Sequence, residues 1–562
     1  MGRAQRDPWL LLGLVVFSAL LLYPGLGAMD AVFSTDARYL EISREMFETG
    51  NLGMPLLAGS PHLDKPPLVY WMGAAGYALL GPNPGAGRFF EQLALMGTAL
   101  LVFGFGRRWM SRRAALLSAM VMLTSLLPYT TSRGLSTDVF QLLTCTGALL
   151  ALLEATRARH PTRYLMLASG LLGASFLVKG PIAVLIVATV WTVTRLLGGP
   201  RLAVPLRARL LALLLALVIG APWYVWLVAH HPEVAGYFVN VQLLGRLGAG
   251  GAGHVKHATF IVESWLWGTL PWTPLLLLVL ARFRPPRDRQ QRDPVDLLLW
   301  VWAVVPVILF SIPATKLPTY VLPALPPAAL LLGRAMDRHA LQGRRFALAS
   351  RVACGLTAVL AIIAPAVLVG LPSIARLEGF LDASAVRAPG IVSLALLGVA
   401  TGAVLVAMRI RDGVIGHRPL IGLSVVAALV LSISFSSLAP AFQSKRAAAE
   451  LVHRVAGARV VQIGTFQPSF LFYFRDIANV WVADFRPFHT EGGILLQPRL
   501  TLSRGEAVEM MRDPVPTMAL VKKRERPAFL ASLGGETVWC DADDCLRANP
   551  PAAARLAMLD TR

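Results

Sequence analysis

The chain has 562 residues, 55% of them hydrophobic and only 15% charged, with mean hydropathy +0.59 and a formal net charge of +21. Soluble domains carry roughly 25% charged residues, and apolar runs of about 18 residues or more, enough to cross a hydrocarbon core of about 30 Å, recur through the first 440 positions. A soluble globule is excluded, and so is a membrane barrel, whose strands alternate in polarity. Nucleic-acid binding is excluded because the arginines fall in short loops between apolar runs, not on one amphipathic face.

In chain order, thirteen spans are expected: 8–29, 88–106, 114–130, 139–155, 164–179, 181–196, 208–229, 260–281, 296–313, 318–334, 350–371, 389–408 and 419–438. The first reads as a retained helix and not a cleaved signal, because further spans follow it. Alternate loops are arginine-rich: Arg107, Arg108, Arg112 and Arg113; Arg157, Arg159 and Arg163; Arg282, Arg284, Arg287, Arg289 and Arg292; and others in register to Arg418. The opposite loops hold most of the acids, so every loop agrees with one orientation, the N-terminus cytoplasmic.

The first external loop, 30–87, is long. Its residues 37–49 place Tyr39, Leu40, Ile42, Met46 and Phe47 apart from Arg38, Glu41, Arg44, Glu45 and Glu48, the pattern of an amphipathic helix lying in the membrane interface. Residues 66–81 are apolar but short for a span, and are expected to form a juxtamembrane or re-entrant helix. In the second external loop, 230–259, the stretch GRLGAGGAGH reads as a flexible lid rather than a phosphate cradle. After about 439 the composition changes: AAAELVHRVAG reads as a helix, and VVQIGTF, FLFYF and VWVAD as short strands. The expected fold class is an all-α polytopic membrane domain of about 13 helices over 1–440, with a small C-terminal α/β periplasmic domain over 441–562. Four cysteines are too few for a disulfide framework; Cys145 and Cys354 lie in apolar runs, and Cys540 and Cys545 are as readily two thiols as one disulfide.

Two loops on the external side each bring a carboxylate to the membrane boundary, Asp36 in FSTDARYLEISREM and Asp138 in SRGLSTDVF, with Lys65 of LDKPPLVYW between them in sequence. Charges at such positions are functional candidates. Each has a plain alternative: Asp36 and Asp138 as helix N-caps, Lys65 as a snorkelling lysine. Lys179 and Lys316 end apolar runs on the external side, against the positive-inside tendency.

The ordered set TDARYLEISREM, LDKPPLVYW, FLVKGPIAVLI, PWYVWLV and TKLPTYVLPALPPAALLLG resembles the GT-C lipid-dependent membrane glycosyltransferases. The resemblance is closest to the bacterial 4-amino-4-deoxy-L-arabinose transferases that modify lipid A, and extends to the protein O-mannosyltransferases. The family opens its first loop with an Asp, usually followed by a second acid, before Arg-Tyr; here Ser34-Thr35-Asp36-Ala37-Arg38-Tyr39 has one acid only.

The resemblance implies a polyprenyl-phosphate-linked sugar as donor and lipid A as acceptor at the periplasmic face of the inner membrane, with Asp36 as base; Asp138, as a membrane-edge acid, is the second catalytic candidate, orienting the acceptor or a cation. A carboxylate base contributes typically about 10²–10⁴-fold, and fixed cations stabilise a departing phosphate. Lys65, Arg38, Tyr39, Arg246 and Tyr320 are the expected donor-phosphate ligands, with an Arg38–Glu41 ion pair and a belt tyrosine at Tyr320 as the alternatives. His254 and His257 form a weak H-x-x-H metal candidate, which leaves a divalent metal open. No GxSxG, HExxH, P-loop or dinucleotide fingerprint occurs. The rival readings are the same donor chemistry with a protein or glycan acceptor, a lipid or glycan transporter, and a receptor; no paired halves of the transporter kind are found.

Overall fold

A computed structural model gives the fold, and the structure describes residues 8–31, 34–232, 234–236, 255–286, 288–338, 344–370, 398, 402, 417–438, 445–484, 502–541 and 543–560. The chain opens with α1 (Pro8–Leu22) and α2 (Ser34–Thr49). A two-residue hairpin follows, β1 (Leu56–Leu57) and β2 (Ser60–Pro61), then α3 (Leu68–Leu80). The bundle continues through α4 (Pro84–Gly87), α5 (Phe89–Gly106), α6 (Arg112–Leu123), α7 (Leu126–Ser132), α8 (Thr137–Ala155), α9 (Pro161–Lys179), α10 (Ile182–Leu196), α11 (Leu206–Gly220) and α12 (Pro222–His230). Further helices occupy Phe260–Gly268, Thr273–Arg282, Pro294–Ser311, Leu325–Asp337, Arg344–Gly370 and His417–Leu438.

Among the described residues, helix lies within every expected span but 389–408, almost all of which is outside them. Four helices are long and apolar enough to cross a membrane: Pro84–Gly106, Thr137–Ala155, Pro294–Ser311 and Pro419–Ser436. Three pairs bent by 58°, 48° and 114° bring the number up to seven. The core of the bundle is one continuous apolar cluster running from Leu14 to Ala428 and joined by Phe472. Where α9 crosses α11 the backbones nearly touch: a Cβ on Gly173 would stand 2.7 Å from the Ala216 carbonyl, the small-residue contact that membrane helices use when no solvent drives them together.

Two expectations change. Residues 37–49 do form an amphipathic helix, but α2 is not spread on the interface. Glu41, Arg44 and Glu45 are buried, because a C-terminal helix, Pro468–Phe474, packs over α2. Arg44 then neutralises Glu41 through two hydrogen bonds of 2.6 and 2.8 Å, so Glu41 is matched by Arg44 and not by Arg38. The second change is that same helix, which contains the FLFYF run read as a strand. Pro468 at its first turn has no N–H to lose, Phe470 stacks on Phe474 at i, i+4 (5.3 Å), and Arg475 in the left-handed region closes it. As expected, α3 is helical, and at 13 residues it is one of the shorter apolar helices.

The remaining C-terminal strands form one mixed sheet of order β4-β3-β5-β7-β6: β3 (Arg459–Ile463), β4 (Val480–Ala483), β5 (Thr517–Lys522), β6 (Glu536–Cys540) and β7 (Asp544–Ala548). β3 runs parallel to β4 and β5, while β7 is antiparallel to β5 and β6. Cys540 and Cys545 are joined as a disulfide across the β6–β7 turn. This unit rests on the first loop of the bundle: Tyr473 accepts the Ala31 N–H (3.3 Å), Arg475 donates to the Pro82 carbonyl (3.3 Å), and Phe472 lies against Tyr77.

Candidate functional site

Of the acids and cations singled out in the sequence, Asp36, Asp138 and Lys179 lie at one end of the bundle, where α5 and α8 begin and α9 ends. The loop between α7 and α8 joins them. Ser136 is extended and its hydroxyl accepts the Asp138 N–H (3.3 Å), so Ser136 caps α8 and the Asp138 carboxylate is spared that task. It accepts instead from Lys179, the last residue of α9, at 2.5 Å; the pair is 14% and 12% exposed. The Lys179 ammonium in turn stands 4.9 Å from the ring centroid of Tyr320, which leans on Phe310 (5.0 Å). Asp138, Lys179 and Tyr320 thus form a chain of carboxylate, ammonium and phenol, brought together from three separate segments.

Asp36 is placed differently. It is 4% exposed, and Arg88 donates to its two oxygens from Nη2 (2.6 Å) and Nε (3.2 Å). The Leu135 N–H adds a third bond of 2.6 Å. Arg88 is fully buried and also donates to the carbonyls of Leu26, Met29 and Asp30. The carboxylate is therefore no helix cap. It is the centre of a knot that ties α1's exit, α2, α5 and the loop leading to Asp138. A carboxylate held bidentately by a guanidinium and 4% exposed has three of its acceptor positions taken by buried donors.

Next to this knot, Glu91 on α5 receives the Ser136 hydroxyl (2.7 Å) and the Ser136 N–H (3.2 Å). Arg88 and Glu91 did not figure among the sequence candidates. Both carried a signal: an arginine opening an apolar run on the arginine-poor side, and an acid one turn inside a span.

Lys65 bonds the carboxylate of its neighbour Asp64 at 2.7 Å, with both side chains largely covered. Its segment reaches the end of α9, since Leu63 and Leu68 pack in one cluster with Leu177 and Trp223. Glu45 sets the course of that segment. Its carboxylate accepts the N–H groups of Ala58 (2.6 Å) and Gly59 (2.9 Å), which turn the β1–β2 hairpin at φ 54° and 72°. An alanine in the left-handed region is costly, and the carboxylate holds it there, five residues before Asp64-Lys65. Burial and the nearby Glu41 push Glu45 up to about 8.

The Arg38 guanidinium lies 6.0 Å from the Tyr39 ring, and Tyr39 is buried edge-on to Tyr70 (5.3 Å). Lys316 is buried and donates to the Lys256 carbonyl (3.4 Å). Arg246, His254 and the GRLGAGGAGH stretch lie outside the described residues. His257 is exposed and faces Glu263 (3.2 Å). Among the described residues no three His, Cys, Asp or Glu side chains are grouped to hold a metal ion.

Residues 64–226 match the family model of the dolichyl-phosphate-mannose-protein mannosyltransferases, a stretch that holds Lys65, Glu91, Asp138 and Lys179. The crystal structure of ArnT from Cupriavidus metallidurans bound to undecaprenyl phosphate superposes with a TM-score of 0.79 over 97% of this chain and 98% of that one, at 21% identity.

The chain has the GT-C fold.

It is a multi-pass membrane protein, similar in sequence to undecaprenyl phosphate-alpha-4-amino-4-deoxy-L-arabinose arabinosyl transferases. With that of Erwinia tasmaniensis it shares 34% identity over 61% of this chain and 63% of the relative; with that of Aeromonas hydrophila, 32% over 52% and 54%. The chain thus covers less than two thirds of the length of these relatives.

Proposed function

We propose that this protein transfers 4-amino-4-deoxy-L-arabinose from a polyprenyl phosphate to lipid A at the periplasmic face of the bacterial inner membrane. The observation that carries the reading is the Asp138–Lys179–Tyr320 chain, joined to the Asp36–Arg88 knot through Leu135 and Ser136. The proposal takes residues 1–440 as the membrane domain with thirteen crossings and 441–562 as a periplasmic domain, the N-terminus cytoplasmic. The arginine-rich loops all falling on one side support that orientation.

In the reaction a lipid A phosphate oxygen attacks the anomeric carbon from the side opposite the polyprenyl phosphate. The new C–O bond forms as the old one breaks, the polyprenyl phosphate leaves with the electron pair, and the anomeric centre inverts. A phosphomonoester loses its second proton near about pH 6, so the acceptor needs little help to ionise. The harder task is to seat two phosphates among carboxylates.

We assign that task to the cations. Lys179 screens Asp138 from the incoming anion, and Asp138 takes the residual proton. Lys65, with Arg38, Tyr320 and Arg246, binds the donor phosphate. The base role moves from Asp36 to Asp138 because all three bonds on the Asp36 carboxylate come from buried groups; Asp36 positions the loop that presents Asp138. Tyr39, packed on Tyr70 in the core, is assigned the support of α2.

Purified full-length protein in lipid nanodiscs, given undecaprenyl-phosphate-aminoarabinose and lipid A, tests the reading by mass spectrometry. The expected products are lipid A heavier by one aminoarabinose and free undecaprenyl phosphate. Transfer only to a hydroxyl-bearing peptide, or movement of the lipid with no new glycosidic bond, overturns it.

A further inference from the structure

At the far end of α8 from Asp138 lies a cleft of about 490 Å³, lined by the loops after α5 and α8 and by the first turn of α9. With α8 spanning 19 residues, the two ends stand roughly 28 Å apart at 1.5 Å per residue, close to the thickness of a hydrocarbon core. The cleft therefore opens at the opposite membrane boundary, independent of the sugar-transfer site.

Its frame is built. Among the described residues Glu154 is the one acid lining it, and both its oxygens are in use, one by Arg108 and the other by the Trp109 indole N–H (3.2 Å). Arg108 also donates to the Tyr164 hydroxyl (3.1 Å), and Arg157 lies over the Trp109 ring at 3.9 Å. Asp293, beyond the lining, is held by Arg334 (3.0 Å) and Arg338 (2.8 Å). Arg157, Arg159 and Arg163 thus face the cleft, with no free carboxylate among the described residues that line it. The N-terminus of the 19-residue α9, with Pro161 at its first position, adds the positive end of its dipole.

We propose that this cleft binds the phosphate headgroup of an anionic phospholipid. Guanidiniums match phosphate oxygens in pairs, and basic pockets between membrane helices hold acidic headgroups. A lipid is favoured over free phosphate by what lies along the helix. Leu167, one turn beyond Arg163 on the same face of α9, is 53% exposed, so a phosphate on Arg159 and Arg163 would lay its acyl chain on an apolar surface. Trp109 and Tyr164 stand at the junction, as boundary aromatics do.

Native mass spectrometry of the full chain in neutral detergent tests this with phosphatidylglycerol, phosphatidylcholine and inorganic phosphate as probes. Phosphatidylglycerol is expected to stay bound about tenfold more tightly than phosphatidylcholine. The double variant Arg159→Ala, Arg163→Ala should lose that preference. Both side chains are exposed, so the variant is expected to fold and turn over as wild type. Equal retention of the two lipids, a preference untouched by the double variant, or displacement of the lipid by equimolar inorganic phosphate would each overturn the proposal.

Discussion

The two ends of α8 handle charge in opposite ways. At its N-terminal end every acid has a fixed partner: Asp36 with Arg88, Asp138 with Lys179, Glu91 with Ser136. At its C-terminal end arginines outnumber acids, and most are exposed. Burial explains the contrast. A desolvated charge is tolerated only when it is paired and hydrogen-bonded, so geometry is specified residue by residue where the chain is closed. Where it is open, water carries the solvation and only the sum of charges matters. Chemistry that requires a group at a set distance belongs to the closed end.

The largest expected effect is at Asp138. Asp138→Asn keeps the shape and removes both the acceptor of the residual proton and the counter-charge of Lys179, and turnover should fall by about 10²-fold, the low end for a general base because the acceptor is already largely ionised, measured as transferred aminoarabinose; the exposed pair Arg159→Ala, Arg163→Ala should leave turnover unchanged. Arg88→Ala should act on folding instead. It strands a buried carboxylate, a loss of about 3–5 kcal/mol, read as a drop in thermal stability in detergent. If Asp36→Asn proves milder than Arg88→Ala, the knot is structural; if Asp36→Asn unfolds nothing yet abolishes turnover, Asp36 regains the base role.

A smaller effect is expected at Glu45. Glu45→Gln keeps one amide bond of the hairpin turn and opposes the other with its own NH₂, a loss of about 1–2 kcal/mol. Because burial raises Glu45 from its ordinary 4.5 to about 8, the folded protein holds a proton that the unfolded chain releases. Its contribution to stability is complete below about 4.5 and is lost as pH rises through about 8. Thermal scans across that range should show the decline in wild type and a flatter profile in Glu45→Gln.

The bundle was legible because hydropathy and arginine placement are local properties, readable one segment at a time. The site was legible only in its parts. Asp36, Asp138 and Lys179 each violate what a lipid-bathed boundary prefers, and that made them visible, whereas Tyr320 is a residue such a boundary favours. Their pairing was not visible. Asp36 meets Arg88 across 52 positions and Asp138 meets Lys179 across 41, and nothing in the spacing says which cation answers which acid. The periodicity of α2 was read correctly and its setting was not, because the helix that buries it, Pro468–Phe474, lies over 400 residues away. That helix was itself mistaken for a strand: a short aromatic run fits either form, and only its proline and the surface beneath it decide.

The most direct test of the central claim is a double-mutant cycle on Asp138 and Lys179 in the transfer assay, comparing Asp138→Asn, Lys179→Met and the two combined. If carboxylate and ammonium act as one unit, the double variant loses no more turnover than the worse single variant. Losses that simply multiply, or wild-type turnover in either single variant, would contradict the account.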